Sequence, residues 1–251
     1  TNLLVHGIDT PQIEYGSAFC KPINDFDEKE KVNVIAMNPP YGGVTTAAEL
    51  TNFPAQFKTS ETAVLFIAYI TKRLKQNGRA GVIIPDGFLF GNDGASVEVK
   101  RVLLEEMNLH TIIRLPSSVF APYTSITTNI LFFDNKKPTE DLWIYRMDMP
   151  EDLKHFSKTK PITDEHMEIV KVWWNNRIEI TEEGNEKARC FKKSEIIANG
   201  YNLDLCKYPK EEEEILSIKD TILNYKKHSE AADEKINATL SKITEILGIE
   251  L

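Results

Sequence analysis

The chain has 251 residues, 41% of them hydrophobic and 27% charged, with a net charge of −8. That composition fits one ordinary globular domain, with or without an appendage, and the acidic balance argues against a chain that grips DNA unaided, because duplex affinity comes largely from Lys and Arg on phosphates. No apolar run approaches the roughly 20 residues that cross a bilayer, and Thr1-Asn2-Leu3-Leu4-Val5-His6 has neither the basic region nor the cleavage site of a secretory signal, so a cytoplasmic protein with no membrane contact is expected.

Cys20, Cys190 and Cys206 are odd in number and widely spaced, which predicts reduced thiols rather than a disulfide framework or a zinc cage. The five histidines are equally scattered, and no metal site is expected.

Along the chain, Gln12 to Tyr15 reads as a short strand and Val32 to Met37 as a buried one. Ser60 to Asn77 has helical periodicity, with Ala63, Phe66, Ile67, Ile70 and Leu74 on one face and Asn77-Gly78 as its stop. Arg79 to Pro85 is a strand whose unbroken apolar run predicts cover on both faces. A helix over Gly94 to Asn108 follows, capped by Asn92 or Asp93. Gly87, Gly91 and Gly94 in front of it leave two readings, an anion-binding loop or plain helix capping, and capping is favoured because no phosphate-loop spacing is present. His110 to Leu115 and Thr127 to Phe133 are strands. Strand and helix alternating in this way predict an open α/β sheet, with ligands beyond the carboxyl ends of its strands, where Asn38 and Asp86 would lie.

From residue 136 to 208 the pattern weakens into an irregular connecting segment. Asp141 to Met147 reads as a strand and Asp164 to Asn175 as a helix, whose Trp173-Trp174 favour packing over nucleotide stacking. After residue 209, Ile215, Ile218, Ile222, Tyr225, Ser229, Ala232, Ile236, Thr239, Ile243 and Ile246 keep heptad a/d spacing, which predicts a long amphipathic helix. It would dock on its own domain or serve as an arm for another subunit. The small residues Ser229, Ala232 and Thr239 disfavour an isolated zipper and favour packing on a larger helical surface. Glu211 to Glu214 suit the helix start.

The chemistry concentrates in Asn38-Pro39-Pro40-Tyr41, placed after an apolar strand and before Gly42-Gly43. An exocyclic aromatic amine is a poor nucleophile because its lone pair is delocalised into the ring. Hydrogen bonds accepted from both amine protons, by the Asn38 side-chain oxygen and the Pro39 carbonyl, would localise that lone pair. The two prolines fix φ and remove competing donors, so the acceptors are preorganised for a charge that develops in the transition state. Tyr41 would stack on the base. A base within a duplex would have to be flipped out to reach the loop. Taken alone, the tetrapeptide also fits a simple turn after a strand.

The loop has company. His6-Gly7-Ile8-Asp9, Asn38-Pro39-Pro40-Tyr41-Gly42-Gly43, Gly78 to Gly87 with Leu89-Phe90, Arg114 to Phe120, Thr127 to Phe133 and Gly200-Tyr201-Asn202-Leu203-Asp204 occur in this order. Together they resemble the modification (M) subunit of type I restriction-modification systems, an adenine-N6 DNA methyltransferase. The resemblance covers most of residues 1 to 135 and resumes before the terminal helix.

It implies an incomplete Rossmann-like, S-adenosylmethionine-dependent methyltransferase sheet with a C-terminal long-helix appendage. Residues 1–135 would be the carboxyl-terminal part of the catalytic core, 136–208 a connecting subdomain and 209–251 the helix for subunit packing. Asn38, Pro39, Pro40 and Tyr41 would be catalytic. Phe120 and Tyr123 would face the flipped adenine with Tyr41, and Ser17 and Asn38 would border the cofactor. The specificity subunit would take the terminal helix and carry most of the DNA contact, and the restriction subunit would join the full complex.

Two departures bear on the cofactor. The family's Gly-rich loop and following acidic residue belong upstream of a segment like Asn2 to Gly7, and Ser17 stands where the family often has an acidic or amide residue. The chain alone is therefore expected to bind S-adenosylmethionine weakly and to be inactive, with an open sheet edge that self-association or rearrangement covers. Methylases of protein glutamine or RNA guanine share the tetrapeptide, and a non-catalytic assembly module is the third reading.

Overall fold

Seven strands hydrogen-bond side by side in the order β1-β2-β4-β3-β5-β7-β6. The computed structural model describes residues 2–13, 15–43, 45–209 and 218–247. The elements are α1 (Asn2–Val5), β1 (Val32–Met37), α2 (Ala47–Leu50), α3 (Thr62–Arg73), β2 (Leu74–Pro85), α4 (Gly87–Phe90), α5 (Gly94–Glu105), β3 (Asn108–Arg114), β4 (Thr128–Asp134), β5 (Asp141–Arg146), α6 (Glu168–Asn175), β6 (Ile180–Glu182), β7 (Asn185–Lys192), α7 (Lys193–Ala198) and α8 (Ile218–Leu247). Thr1–Tyr208 forms one compact unit and Pro209–Leu251 a second.

Strands β1 and β2 are parallel, as are β3 and β5, while β4 runs antiparallel between β2 and β3. The carboxyl ends of β1, β2 and β3 therefore share one rim with the start of β4. The loop over 115–127 rises from that rim. On one face of the sheet, Leu65, Ile67 and Ile70 of α3 and Val99, Leu103 and Leu104 of α5 pack on Val82, Ile84, Leu131 and Phe133. On the other, Val170 and Trp173 of α6 cover Ile113 and Tyr145.

Several sequence expectations change in the structure. No strand forms at residues 11–13 or at Tyr15, and Ile13 is 71% exposed, because nothing lies alongside to complete a ladder; Glu14 lies outside the described residues. Strand β1 has the expected bounds but is an edge strand, paired only with β2, so Val34 is 56% exposed rather than buried. Helix α3 stops at Arg73 instead of Asn77. Leu74 already pairs with Val32, and the ladder then skips to Val34 opposite Arg79. Asn77 sits in that irregularity with a positive φ of 64° and exchanges backbone hydrogen bonds with residue 135 together with Gly78. Strand β2 buries Ala80, Val82 and Ile84 fully, whereas Gly81, Ile83 and Pro85 on its other face stay half-exposed.

The remaining elements lie close to their expected positions. Asp93 caps α5 by accepting from the amides of Ala95 and Ser96. The glycine loop before it holds a cation rather than an anion: the buried Lys100 ammonium donates to the carbonyls of Leu89 at 2.8 Å and Gly91 at 2.7 Å. This favours capping over phosphate binding. Residues 136–208 are more regular than their pattern suggests, since β5, β7 and β6 extend the same sheet with no seam at residue 135. Trp173 donates to the carbonyl of Ile178 and packs on Trp143 and Tyr145, and Trp174 packs on Phe132, so both serve as core.

Helix α8 spans 30 residues, with Ile222, Leu223, Tyr225, Ile236 and Leu240 exposed; Glu211 to Glu214 lie outside the described residues. No described helix is long and apolar enough to cross a membrane, and no metal-binding cluster occurs among the described residues.

Burial lowers the Lys100 pKa to about 8 from 10.5. The unfolded chain therefore binds more protons between those values, and the Lys100 contribution to stability rises with pH across that window. In urea unfolding, the stability of the protein minus that of Lys100→Met should be constant below pH 8 and rise toward pH 10. A difference that stays flat or falls would contradict this account of the ammonium.

Candidate active site

Strand β1 ends at Met37, and the next four residues form the loop singled out in the sequence. Asn38 and Pro40 are exposed, Pro39 is buried and Tyr41 is half-buried. The backbone leaves the loop through Gly42 at φ +86° and Gly43 at φ +144°. A Cβ on Gly42 would meet nothing within 4 Å, so glycine is required there by backbone conformation rather than by crowding. The Gly43 carbonyl accepts from the Thr62 hydroxyl at 3.5 Å, which ties the loop to the start of α3. No described residue donates a backbone hydrogen bond to the Pro39 carbonyl outside regular elements.

The Tyr41 hydroxyl donates to Asn38 Oδ1. Burial pushes the Tyr41 phenol above its ordinary pKa, and the Asn38 contact opposes that shift. The Tyr41 ring meets the Phe120 ring edge-on, with centroids 5.9 Å apart and planes at 65°. Two chain segments 79 positions apart thus form an aromatic jaw over the end of β1.

The other expected site residues lie elsewhere. Tyr123 is 92% exposed, and its amide donates to the Phe120 carbonyl. It stands on the same loop as Phe120 but not in the jaw. Ser17 is exposed; its hydroxyl donates to Glu49 on α2 and accepts from the Phe19 amide at 3.2 Å. None of these partners belongs to the loop at Asn38. Glu49 also closes a capping box with Thr46. Hydrogen bonds from Ser17 and Thr46 hold the Glu49 carboxyl below its usual pKa.

The fit of this chain to S-adenosylmethionine is correspondingly incomplete. Ser17 is engaged by Glu49, and β1, the strand leading into the loop, has an open outer edge with Val32 and Val34 exposed. The space beside Ser17 is a cavity of about 340 Å³ with Phe26, Tyr69 and Arg73 in its wall.

At the same rim of the sheet lies a polar cluster that the linear pattern does not assemble. Arg114 at the end of β3 is 3% exposed. It donates to Asp86 Oδ1 at 2.9 Å, pairs with Asp204 at 2.9 Å and donates to the Leu205 carbonyl at 2.8 Å. Asn129 at the start of β4 donates to the same Asp86 oxygen at 3.1 Å. Asp86, Arg114 and Asn129 are separate in sequence and meet because Arg114 pairs with Asn129 in register and the Asp86 amide reaches the carbonyl of residue 127. The available signal was charge and amide residues at the ends of apolar strands; the register that unites them is invisible in a linear reading.

Chain comparison places this architecture among known proteins. Residues 1–215 match the family model described as N-6 DNA Methylase. The methylase subunit of the Escherichia coli type I restriction enzyme EcoEI is 41% identical over 254 residues, covering 100% of this chain and 50% of that protein. A solved modification subunit assigned to a type I restriction enzyme from Vibrio vulnificus YJ016 superposes with a TM-score of 0.72 at 42% identity, over 78% of this chain and 40% of that one. A solved chain from a study of type I restriction-modification complex assembly superposes with a TM-score of 0.71 at 32% identity, over 97% and 51%. The chain thus spans about half the length of the relatives it matches, and the expected α/β methyltransferase class holds.

Removing the Arg114 guanidinium would leave Asp86 and Asp204 without their shared buried partner. Arg114→Met should cost about 3–5 kcal/mol in chemical unfolding, whereas Arg101→Met, which breaks only partly exposed ion pairs on α5, should cost about 1 kcal/mol or less. Equal losses for the two would refute the structural role given to Arg114.

Proposed function

The chain belongs to the N-6 DNA methylase family, and from that premise we propose that it carries the acceptor half of a type I adenine-N6 DNA methyltransferase, the part that holds the target amine. The observation that supports this reading is the loop at the end of β1, where Asn38 Oδ1 and the Pro39 carbonyl stand as acceptors under the Tyr41–Phe120 jaw.

In this reading Tyr41 and Phe120, which touch edge-on, part to admit a flipped adenine onto the Tyr41 ring. Its two N6 protons are accepted by Asn38 Oδ1 and the Pro39 carbonyl, which draws the amine toward tetrahedral geometry and localises its lone pair. The Tyr41 hydroxyl must first release Asn38, because it occupies the acceptor that the amine needs. The phenol then swings aside while its ring becomes a stacking surface. The Thr62 tie on Gly43 and the fixed φ of Pro39 and Pro40 keep the acceptors in place throughout. A subunit of the relatives' full length would hold S-adenosylmethionine, which would supply an electrophilic methyl group. No general base is required at the loop, since the proton can leave after transfer. Ser17 would approach the cofactor only if its bond to Glu49 opened.

The exposed stripe of α8, with Ile222, Leu223, Tyr225, Ile236 and Leu240, is the surface we assign to the specificity subunit. That subunit would read the DNA sequence and supply most of the basic surface for the duplex. A restriction subunit would complete the assembly.

The test is transfer of tritiated methyl groups to unmethylated DNA by a subunit of full relative length, with and without its specificity partner. Transfer should require the partner, and Asn38→Ala should reduce it by about a hundred- to a thousandfold while assembly persists. Tyr41→Phe should retain transfer, whereas Tyr41→Ala should lose roughly 1–3 kcal/mol of base stacking. Full activity in an assembled Asn38→Ala complex would reject the loop as the site of chemistry.

A further inference from the structure

Between β5 and α6 the chain makes a short basic turn that none of the chemistry above uses. Lys154, His155, Lys158 and Lys160 all project into solvent. Among the described residues, none of the three lysine ammonium groups forms an ion pair or a hydrogen bond, unlike the lysines at 136, 137, 171, 187, 192 and 207. In a chain of net charge −8, three unneutralised cations within seven residues are a departure from the surrounding surface. Glu151 and Asp152 precede the turn, and residues 153–160 contain no acid.

The turn is held in place rather than loosely attached. Ser157 and Lys160 exchange backbone hydrogen bonds at 3.0 and 3.2 Å, which pins Lys158 and Lys160 on a tight reversal. Phe156 is 1% exposed, with its ring against His166 at 5.3 Å. The Phe156 amide donates to the Ser118 hydroxyl at 2.9 Å. Ser118 itself holds a left-handed φ of 62° and its carbonyl accepts from the Ala121 amide at 2.9 Å. The basic turn is therefore fastened to the loop that carries Phe120, two residues from the ring that meets Tyr41. Exposed cations on a turn bonded to the loop that carries Phe120 suit one kind of partner, the phosphodiester backbone next to an extruded base.

We propose that Lys154, Lys158 and Lys160 contact phosphates of the DNA strand flanking the target adenine, so that this turn seats the strand while the jaw holds the base. The inference rests on the DNA methylase reading and adds a contact surface to it. Phosphate contacts position the duplex without reading its sequence. Their loss should therefore weaken binding equally for cognate and unrelated sites.

The experiment compares the methylase–specificity complex with the same complex bearing Lys154→Gln, Lys158→Gln and Lys160→Gln, titrated with fluorescent duplex DNA over a range of salt. Three lost contacts should weaken binding on the order of a hundredfold at ~0.15 M salt and reduce the slope of log K against log salt by about 2–3. Arginine at the same three positions should restore both. Unchanged affinity and slope would overturn the proposal, as would weakened DNA binding that gel filtration traces to lost subunit assembly, because the lysines would then serve a protein interface. Methyl transfer by the unsubstituted complex is scored separately. A complex that binds DNA through the turn but never methylates it would sink the methylase reading alone. One that methylates but ignores the lysine changes would sink the turn alone, and one that binds no DNA would sink both.

Discussion

The buried Arg114 guanidinium fastens three strand ends at one rim, and the candidate site stands on that foundation. Its bonds to Asp86, Asp204 and the Leu205 carbonyl join β2, β3 and the 199–208 segment, while Asn129 brings in β4 through the same Asp86 oxygen. Parallel strands end in open backbone, and a loop attached to unsecured ends would place its side chains loosely. A charge with no alternative partner in a dry environment makes the arrangement all-or-none, since any departure leaves an unpaired buried ion. The 115–127 loop leaves the sheet directly after Arg114 and carries Phe120, which meets Tyr41. The 199–208 segment is tied down elsewhere: the Leu203 amide reaches the Leu89 carbonyl on α4, and Tyr208, its phenol raised by burial, donates to the Met147 carbonyl just past β5.

In the proposed reading, chemistry and strand contact fall to different parts of this chain. The jaw and its acceptors are small, preorganised and uncharged, as suits an amine that gains charge during reaction. Three exposed lysines lie outside it, on the turn bonded to Ser118. The Tyr41 contact to Asn38 gives the empty jaw a satisfied resting arrangement, so the acceptor is not left bare when no base is present.

Much of this was legible in the sequence because it depends on local pattern. The bounds of β1, β4 and β5, the Asp93 cap and the amphipathic helix α8 follow from periodicity and capping chemistry. The Asn38 loop was visible as proline rigidity after an apolar run. What failed depended on neighbours. Val34 reads as core but lies at an edge, and Ile13 and Tyr15 read as strand but have no ladder to join. Leu74 satisfies both the α3 stripe and the β2 ladder, and pairing with Val32 decided the matter. Phe120 could be ranked with Tyr123 by loop membership, yet only Phe120 reaches Tyr41. The Arg114 cluster required the register of three strands at once.

The central claim is that this chain presents an adenine amine for methylation. It is tested most directly by the identity of the methylated nucleoside. DNA modified by the assembled complex, digested to nucleosides and resolved by mass spectrometry, should contain N6-methyladenine as the sole new product. Methyl groups on cytosine, on protein or on RNA, with none on adenine N6, would contradict the account.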